Sequence, residues 1–378
     1  MSEFINFLSA ISRDTLPAGK IGGILANTPS ILKSPSELKK TQELFNKSQA
    51  KYTMVDSGGF QLFKIDRDNQ EIQDPSLRIQ VIMNPDKPIY QKGKFNLVSE
   101  HVLAAVQALN PDFVISPDWP VRKPKIPDES RFLFLRSIGY NLYSAWQLSL
   151  LLDQSGCKAK LLIPVQAYNL EEVQLYSIHL NKFRFDGLSF PSRIMTPERM
   201  AAFFIKAHIS GIRRIHLLGT NKFSSLALAA YFARHFFEFT SLDSSDLAYF
   251  SLVNSYLMPY SLKALSLRRN SRDDLSQPIT CSCEFCSYEK SFKAIQSRGT
   301  DEKRNFVVNH NHLVIQQMMR EAYEHASTAS ELYEFLMEKA PQNEDCGEVF
   351  RILSLVEAMR PFLEDPDLVS AFYAKLGF

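Results

Sequence analysis

Three cysteines stand close together in the last third of the chain, at Cys281, Cys283 and Cys286. His310 and His312 follow about two dozen residues later. Free cysteines are usually buried and dispersed, whereas three thiolates and one imidazole are a common tetrahedral ligand set for zinc. The cluster therefore predicts a closed, structural Zn2+ site, with His310 preferred over His312 as the fourth ligand.

A carboxylate begins the second group of interest, the run Asp-Ser-Gly-Gly-Phe-Gln from Asp56 to Gln61. The two glycines permit the backbone to approach a ligand closely, and the ring of Phe60 can stack on a planar base. Taken alone, these six residues fit a base-binding corner and a plain turn with Phe60 in the core about equally well. The choice between the two depends on the rest of the chain.

Short β-branched or apolar runs alternate with longer helical patterns from about Lys51 onward, which is the rhythm of parallel strands joined by crossover helices. The predicted strands are Tyr52 to Val55, Phe113 to Ile115, Lys160 to Val165, Phe185 to Leu188, Ile212 to Leu218 and Phe237 to Leu242. The predicted helices are Val98 to Leu109, Glu129 to Leu152, Leu170 to Phe183, Thr196 to His208 and Lys222 to Arg234. The alternation indicates an α/β fold.

A polar residue or glycine that can serve a binding or catalytic site follows each predicted strand. These residues are Asp56, Asp118, Gln166, Ser189, Gly219 and Asp243. In a (β/α) barrel the active site is built from the carboxyl ends of the strands, whereas an open doubly wound sheet gathers its site at one switch point. The pattern therefore predicts a (β/α)8 TIM-type barrel.

The pattern changes beyond Tyr260, where a basic, cysteine-containing segment precedes the predicted helices His312 to Ala340 and Glu348 to Phe362. We therefore predict a barrel core over residues 1–260 and a zinc-binding helical appendage, packed on the barrel, over residues 261–378. The segment Lys64 to Gly93 is predicted to be a long excursion or lid between barrel strands.

The composition sets broad limits on the class of protein. The chain has 378 residues, 45% of them hydrophobic, and a formal net charge of +2 with a pI near 8.1. The length allows a large core, and the charge is too small to indicate nucleic-acid binding by itself. The amino terminus lacks the features of a secretory signal, and polar residues interrupt the most apolar stretch, Phe132 to Leu152. We therefore expect a soluble, cytoplasmic protein that does not associate with membranes.

The Asp-Ser-Gly-Gly-Phe-Gln run, the Cys-x-Cys-x-x-Cys spacing and the later His-Asn pair together resemble the tRNA-guanine transglycosylase superfamily. The resemblance extends from about Tyr52 to Met319. Members of that family bind guanine or a 7-deazaguanine base in a barrel and carry zinc near the carboxyl end. The resemblance implies an enzyme that exchanges one nucleobase for another in a polynucleotide.

The resemblance also implies a role for each residue that matches the family's motifs. Asp243 takes the place of the nucleophile, and Asp56 takes that of the general acid/base. The resemblance implies base binding by Phe60, Asp118 and Gln166, and Ser189 and Gly219 are added to the expected base-binding residues because they follow predicted strands.

Base exchange without strand cleavage needs two displacements at the anomeric carbon, and a carboxylate nucleophile holds the sugar covalently between them. A second carboxylate protonates the leaving guanine and deprotonates the incoming base. The nucleotide must also be flipped out and its phosphates held by basic side chains. The expected phosphate contacts are Arg122, Lys123, Arg268 and Arg269, beside Lys125 and Arg272 in the same two clusters. Arg193 and His216 are weaker candidates, of types that are more often structural.

Two departures from the family's pattern bear on the substrate. A Leu-Ser-Phe-Pro-Ser-Arg run ending at Arg193 replaces the Gly-Gly-Leu of the tRNA enzymes, and Ser-Ser-Asp-Leu follows Asp243 where the bacterial tRNA enzymes have Pro-Thr-Arg. These departures favour the DNA-guanine transglycosylase branch, whose members insert a 7-deazaguanine, such as 7-cyano-7-deazaguanine, into DNA. The alternatives are the same chemistry on tRNA, with queuine or a precursor, and a non-catalytic partner subunit of such an enzyme. A homodimer and a helicase-like partner both stay open.

Overall fold

The computed structural model describes most of the chain. The described residues are 3–9, 21–59, 80–81, 89–91, 94–120, 127–192, 195–219, 222–243, 254–268, 273–289, 291–341 and 343–378. Within them, no helix is long and apolar enough to cross a membrane.

Eight parallel strands form a closed barrel, in the order β1-β11-β10-β9-β8-β7-β3-β2. In chain order the strands are β1 (Glu3–Ser9), β2 (Gly23–Asn27), β3 (Tyr52–Asp56), β4 (Gln80–Val81), β5 (Tyr90–Gln91), β6 (Lys94–Phe95), β7 (Phe113–Ile115), β8 (Lys160–Pro164), β9 (Gly187–Pro191), β10 (Arg214–Leu218), β11 (Phe239–Asp243), β12 (Ser255–Leu257) and β13 (Ala264–Ser266). The predicted α/β class and barrel are confirmed, and all six predicted strands are present with shifts of up to three residues at their ends.

Two barrel strands, β1 and β2, were not predicted from the sequence. Strand β2 has only five residues, all of them buried, and its last residue, Asn27, caps the next helix by accepting a hydrogen bond from Ser30 N. A short apolar run of this kind cannot be told from a buried helical segment by periodicity. Strands β1 and β2 thus precede the alternation of strands and helices that the sequence shows from about Lys51.

The chain divides into two compact units. The central unit consists of residues 23–191, and the terminal unit consists of residues 1–22 and 192–378. The predicted division into a core and an appendage at residue 260 stays a prediction.

In the central unit, β2, β3, β7, β8 and β9 pair in parallel in that order. The strands are apolar on both faces, and Val55, Val114 and Leu162 are completely buried, as expected where helices cover a parallel sheet. The helices are Thr28–Ile31, Pro35–Lys47, Ser99–Leu109, Pro127–Ser155 and Leu170–Leu180. Because the strands are parallel, their carboxyl ends meet at one edge of the sheet.

In the terminal unit, β10, β11 and β1 pair in parallel. The helices are Pro197–Ile209, Phe223–His235, Phe292–Gln296, Thr300–Glu324, Ala329–Lys339, Asp345–Met359 and Pro366–Lys375, with a 3-10 turn at Arg360–Phe362. Thr196 caps the first of them by accepting a hydrogen bond from Arg199 N. The antiparallel pair β12 and β13 lies between the barrel strands and the later helices in the chain.

The predicted bounds of the late helices were wrong. The single helix predicted over His312 to Ala340 is two helices, because Thr328 accepts a hydrogen bond from Glu331 N and so begins a new one. A strong N-cap inside a continuous apolar pattern separates helices that periodicity alone joins. The helix predicted to end at Phe362 ends at Met359 and continues as the 3-10 turn.

The predicted lid, Lys64 to Gly93, lies mostly outside the described residues. Its described parts belong to a three-stranded sheet in the order β4-β6-β5. Strand β4 pairs with β6 in parallel, and β5 pairs with β6 in antiparallel orientation.

Candidate functional site

The three cysteines and one of the two histidines come together in the terminal unit. The ligand atoms of Cys281, Cys283, Cys286 and His310 all lie within 4.8 Å of one another and could hold a metal ion such as zinc. His310 Nδ1 lies 3.3 Å from Cys286 Sγ and 3.5 Å from Cys283 Sγ. Tetrahedral zinc, with bonds of about 2.3 Å to sulfur and about 2.0 Å to nitrogen, places these atoms roughly 3.5 Å apart. We call these four residues the metal centre.

The other nitrogen of His310 fixes the orientation of its ring. His310 Nε2 lies 2.8 Å from the Leu257 carbonyl oxygen, to which it donates, so that Nδ1 points its lone pair at the sulfur atoms. A histidine that ligates a metal usually donates its second N–H to a backbone carbonyl in this way. His312 is buried as well, but it does not belong to the cluster. The preference for His310 therefore agrees with the geometry.

The electrostatics of the metal centre favour a cation. Hydrogen bonds to Cys281 and Cys286 hold the pKa of the Cys283 thiol well below its usual range. Burial lowers the pKa of His310, but hydrogen bonds to the Cys281 and Cys283 sulfur atoms outweigh burial and raise that pKa to about 9. Hydrogen bonds to Cys281 and Cys283 raise the pKa of the Cys286 thiol above its usual range, so this sulfur keeps its proton next to the Cys283 thiolate. A bound Zn2+ would supply the positive charge that favours the thiolate form of each ligand.

A small hydrophobic core surrounds the metal centre. Tyr256 stacks on the His310 ring with a centroid distance of 3.7 Å, and its hydroxyl group lies 3.4 Å from Cys286 Sγ. Asn311 lies in the helix Thr300–Glu324 and joins it to the β12–β13 pair, because its side chain accepts from Leu257 N and donates to Ser255 O. The core consists of Tyr256, Leu265, Leu267, Leu275, Cys286, Phe292, Ile295, Phe306 and Val307. The metal centre thus links a strand pair, a loop and a long helix.

A second group of polar side chains lies at the carboxyl ends of strands in the central unit. Ser57 Oγ donates to Asp118 Oδ1 over 2.9 Å, and Gln166 Nε2 donates to Asp118 Oδ2 over 2.7 Å. These residues follow β3, β7 and β8, which are neighbours in the sheet. We call Ser57, Asp118 and Gln166 the polar cluster. All three side chains are buried.

Gly59 is required by the position of Asp118. A Cβ atom at Gly59 would lie 2.0 Å from Asp118 Oδ1 and 2.9 Å from the Asp118 carbonyl oxygen. No side chain fits there. The sequence indicated that the glycines permit a close approach to a ligand, and in the structure Gly59 permits a close approach of Asp118 itself.

Burial dominates the chemistry of Asp118. It raises the pKa of Asp118 to about 6, although the hydrogen bonds from Ser57 and Gln166 oppose the shift. A carboxyl group with this pKa is mostly ionised at neutral pH and protonated in mildly acidic solution. Asp118 therefore accepts hydrogen bonds through both oxygens at pH 7, and one of them becomes an O–H donor as the pH falls through about 6.

Several buried polar atoms near the ends of these strands have no hydrogen-bond partner among the described residues. They are Gln166 Oε1, Ser116 Oγ and Ser189 Oγ. Ser116 directly follows β7, and Ser189 lies in β9. An unpaired buried polar atom is unfavourable in a folded protein unless a ligand or water completes it. These atoms therefore suit a ligand that carries both hydrogen-bond donors and acceptors.

The loop that carries Asp118 is held by the helix Pro127–Ser155, which is in turn bonded to the helix Leu170–Leu180. Asn141 accepts from Trp119 N over 2.6 Å, and Ser137 donates to Trp119 O over 2.5 Å. Asn141 also donates to the hydroxyl group of Tyr176 over 2.9 Å. Sequence analysis missed these supporting residues, since a polar residue inside a helix carries no signal of what it contacts across the fold.

Asp56 is the last residue of β3 and is half-buried. Its backbone carbonyl accepts a hydrogen bond from Thr28 Oγ1 over 3.0 Å. Gly58, two residues later, has a φ of +89°, so the chain turns sharply after the strand. The expected carboxylate is thus at the end of a barrel strand. Its role as general acid/base stays a prediction.

Asp243 is the last residue of β11 in the terminal unit. Its Oδ1 atom accepts a hydrogen bond from Gly219 N over 2.9 Å and lies 3.3 Å from His216 Nε2. His216 is completely buried, and its Nδ1 atom lies 2.9 Å from Ser241 Oγ. Gly219 was expected to bind a base, and its N–H is directed at Asp243. His216, a weak candidate from sequence, contacts the proposed nucleophile directly.

The remaining expected site residues are mostly outside the described part of the chain. Arg268 is described and exposed. The expected site residues that lie outside the described part of the chain are Phe60, Arg122, Lys123, Lys125, Arg193, Arg269 and Arg272. The expected contacts of these side chains with base and phosphate stay predictions.

No protein-family model matches the chain, and no curated protein sequence is similar to it.

Proposed function

We propose that this protein is a guanine transglycosylase that exchanges guanine for a 7-deazaguanine base in a polynucleotide, with DNA as the favoured substrate. The proposal combines the sequence resemblance described above with the polar cluster. Zinc at the metal centre has a structural role in it, because four protein ligands leave no open position for substrate.

The polar cluster is the observation that carries the proposal. Guanine has a carbonyl group beside N–H and amino donors, and 7-deazaguanines keep that edge. An ionised Asp118 accepts from the donors, and Gln166 offers Oε1 as an acceptor. One amide hydrogen of Gln166 is used by Asp118, so the second remains for the base carbonyl. A base without this edge leaves these buried groups unpaired, which is a strong basis for selection.

Asp243 is the nucleophile in the proposed reaction. It attacks the anomeric carbon, the bond from that carbon to the guanine nitrogen breaks, and the electron pair leaves with the base. Asp56 supplies the proton to the leaving guanine and later takes one from the incoming base. The incoming base then displaces the Asp243 carboxylate. The reaction thus requires both carboxylates to reach one flipped nucleoside.

DNA is favoured over tRNA on sequence grounds. The residues after β9 and after Asp243 differ from those with which the tRNA enzymes contact base and anticodon. Salt dependence offers a first test, since a protein that binds a phosphate backbone releases counterions, and this release becomes less favourable as the salt concentration rises. Comparing duplex DNA, single-stranded DNA and bulk tRNA over a range of salt concentrations identifies the preferred polynucleotide.

Base exchange provides the decisive experiment. The protein is incubated with radiolabelled guanine and with plasmid DNA or bulk tRNA, and label in the polynucleotide is counted. We expect incorporation into DNA and a covalent protein–DNA adduct that Asp243→Ala abolishes. Thr240→Val is a matched control, because Thr240 is buried in the same strand as Asp243 but faces the opposite side of it.

Each outcome separates the alternatives. Incorporation into tRNA alone identifies the tRNA enzyme. The absence of both incorporation and adduct with either polynucleotide contradicts the proposed activity and favours a non-catalytic partner subunit. Incorporation that persists in Asp243→Ala assigns the nucleophile to another residue.

A further inference from the structure

His216 lies between Ser241 and Asp243 and contacts both of them in the terminal unit. It lies in β10, and its register partner in β11 is Ser241. Ser241 Oγ lies 2.9 Å from His216 Nδ1, and His216 Nε2 lies 3.3 Å from Asp243 Oδ1. Ser241 and Asp243 are two residues apart in one strand and therefore face the same side. These contacts connect the buried part of the sheet with the carboxyl end of β11.

The contacts of His216 favour one position for its ring proton. His216 Nε2 faces Asp243 Oδ1 at 3.3 Å in an electrostatic contact that is outside hydrogen-bond geometry. An ionised carboxylate only accepts hydrogen bonds, so a proton on Nε2 is the arrangement that suits this contact. In the neutral ring, Nδ1 is then an acceptor, and the Ser241 hydroxyl group donates to it. In this arrangement the Ser241 hydroxyl group donates to His216 Nδ1, and the proton on His216 Nε2 is directed towards Asp243. Such an outer hydrogen bond is a common way to fix a histidine tautomer.

Gly219 acts on the same carboxylate oxygen. Its N–H donates to Asp243 Oδ1 over 2.9 Å, and its φ of +70° is one that residues with a Cβ rarely adopt. Among the described residues, Asp243 Oδ2 accepts no hydrogen bond, and the Asp243 side chain is 14% exposed. One oxygen is therefore held from two directions, and the other is left for a ligand.

We propose that His216 is a positioning residue for Asp243, which directs Oδ2 at the sugar and stabilises the carboxylate when it leaves. The inference rests on the proposed function. In the first displacement, Oδ2 bonds to the anomeric carbon as the base departs with the electron pair of the broken bond. In the second, the bond from carbon to Oδ2 breaks and its electron pair returns to the carboxylate. The returning charge spreads onto Oδ1, to which Gly219 N donates and which His216 Nε2 faces at 3.3 Å.

The two displacements depend on His216 differently. Hydrogen bonds to Oδ1 make the carboxylate a weaker nucleophile and a better leaving group. Orientation by His216 aids the first step and partly offsets that weakening. In the second step, orientation is already fixed by the covalent bond, and stabilisation of the leaving carboxylate dominates. Removal of His216 should therefore slow breakdown of the adduct more than its formation.

Rapid-quench measurement of the covalent adduct tests this difference. We expect His216→Leu to slow breakdown by about ten- to a hundredfold, the range for a lost hydrogen bond to a charged group, so that adduct accumulates. His216→Gln keeps an amide donor and should recover part of the rate. The KM for the incoming base should stay within about twofold in both variants, since neither changes the polar cluster. Thr240→Val, in the same strand, should leave both rates unchanged.

The tautomer gives a readout that does not need activity. The 15N chemical shifts of the His216 ring should show Nε2 protonated and Nδ1 unprotonated in the wild-type protein. Protonation of Nδ1 with a bare Nε2 would overturn the inference. If His216→Leu fails to fold, as judged by circular dichroism, His216→Gln and Ser241→Ala carry the kinetic test, with a smaller slowing of breakdown expected for each.

The outcomes also separate this inference from the proposed function. Adduct in the wild-type protein, with equal formation and breakdown rates in the folded His216 variants, contradicts the role of His216 alone. A change in KM without a change in breakdown contradicts it as well. No adduct in the wild-type protein with either DNA or tRNA contradicts the proposed function and this inference together.

Discussion

The metal centre and the polar cluster are both buried groups of polar side chains, but they differ in how far the chain itself completes their hydrogen bonds. At the metal centre, His310 uses one nitrogen for the Leu257 carbonyl group and the other for the sulfur atoms. In the polar cluster, Gln166 uses its amide nitrogen for Asp118, but its Oε1 atom has no partner among the described residues.

This difference separates a structural site from a recognition site. A closed set of ligands gains its stabilisation from the protein and one ion, so it needs nothing further from solution. A buried polar group that lacks a partner makes folding less favourable, and a ligand that pairs with it recovers that free energy on binding. We therefore expect the metal centre to govern stability and the polar cluster to govern affinity.

Loss of the metal should have the largest effect. Cys286→Ser should remove zinc and lower the stability of the metal-binding region by on the order of 5 kcal/mol, because structural zinc contributes directly to folding. Zinc per chain is measured by mass spectrometry, and unfolding is followed by circular dichroism. Cys157→Ser, at a half-buried cysteine outside the cluster, is the control and should keep its zinc. Retention of zinc by Cys286→Ser would show that the cluster is not the binding site.

Alanine at position 59 should disrupt the polar cluster. The new Cβ would overlap Asp118, so we expect Gly59→Ala to cost about 1–3 kcal/mol and to weaken guanine binding at least about tenfold. Gly139→Ala is the matched control, because a Cβ there meets no atom within 4 Å and lies in a helix. That variant should bind guanine normally and be more stable by up to about 1 kcal/mol. Equal behaviour of the two variants would contradict the close approach of Asp118.

Acid should weaken base binding but not the fold. Burial raises the pKa of Asp118 to about 6 from an ordinary value of 3.8. Calorimetric affinity for guanine should therefore fall below pH 6, by up to about tenfold per pH unit, as the carboxylate is protonated. Because the pKa of Asp118 is higher in the folded state, the folded protein binds this proton at a higher pH than the unfolded protein does. Protonation of Asp118 therefore raises the free energy of unfolding as the pH falls from about 6 to 4. Asp118→Asn should remove both dependences, and an unchanged pH profile in that variant would exclude Asp118 as the titrating group.

Removal of one unpaired hydroxyl group should have the smallest effect. Ser189→Ala deletes a buried Oγ that lacks a partner among the described residues, so the free protein should be unchanged or more stable by up to about 1 kcal/mol. Binding of the base should weaken a few-fold if the hydroxyl group contacts it. Ser137→Ala provides the contrast, since Ser137 donates to Trp119 O and its loss should destabilise the protein. Unchanged affinity in Ser189→Ala would remove that residue from the recognition site.

Several features of the fold followed from local patterns in the sequence. The strand Phe113–Ile115 has the predicted bounds, because Pro111 and Pro117 limit this apolar run on both sides. The metal centre was also predictable, since its three cysteines lie in one loop. Strand β2 and the break between Glu324 and Ala329 were missed because short strands and caps compete weakly with longer patterns. Strand β1, which has seven residues, was missed as well.

The sequence by itself determined which residue types were present for chemistry, and it placed the carboxylates and amides after strands. Only the tertiary structure decided what each one contacts. Ser57 and Gln166 are far apart in the sequence, yet both donate to Asp118, and burial of that group sets its pKa. Likewise, the contact of His216 with Asp243 depends on the register of β10 and β11. Hydrogen bonds between distant residues and the loss of solvent arise only when the chain is folded, so no local pattern can specify them.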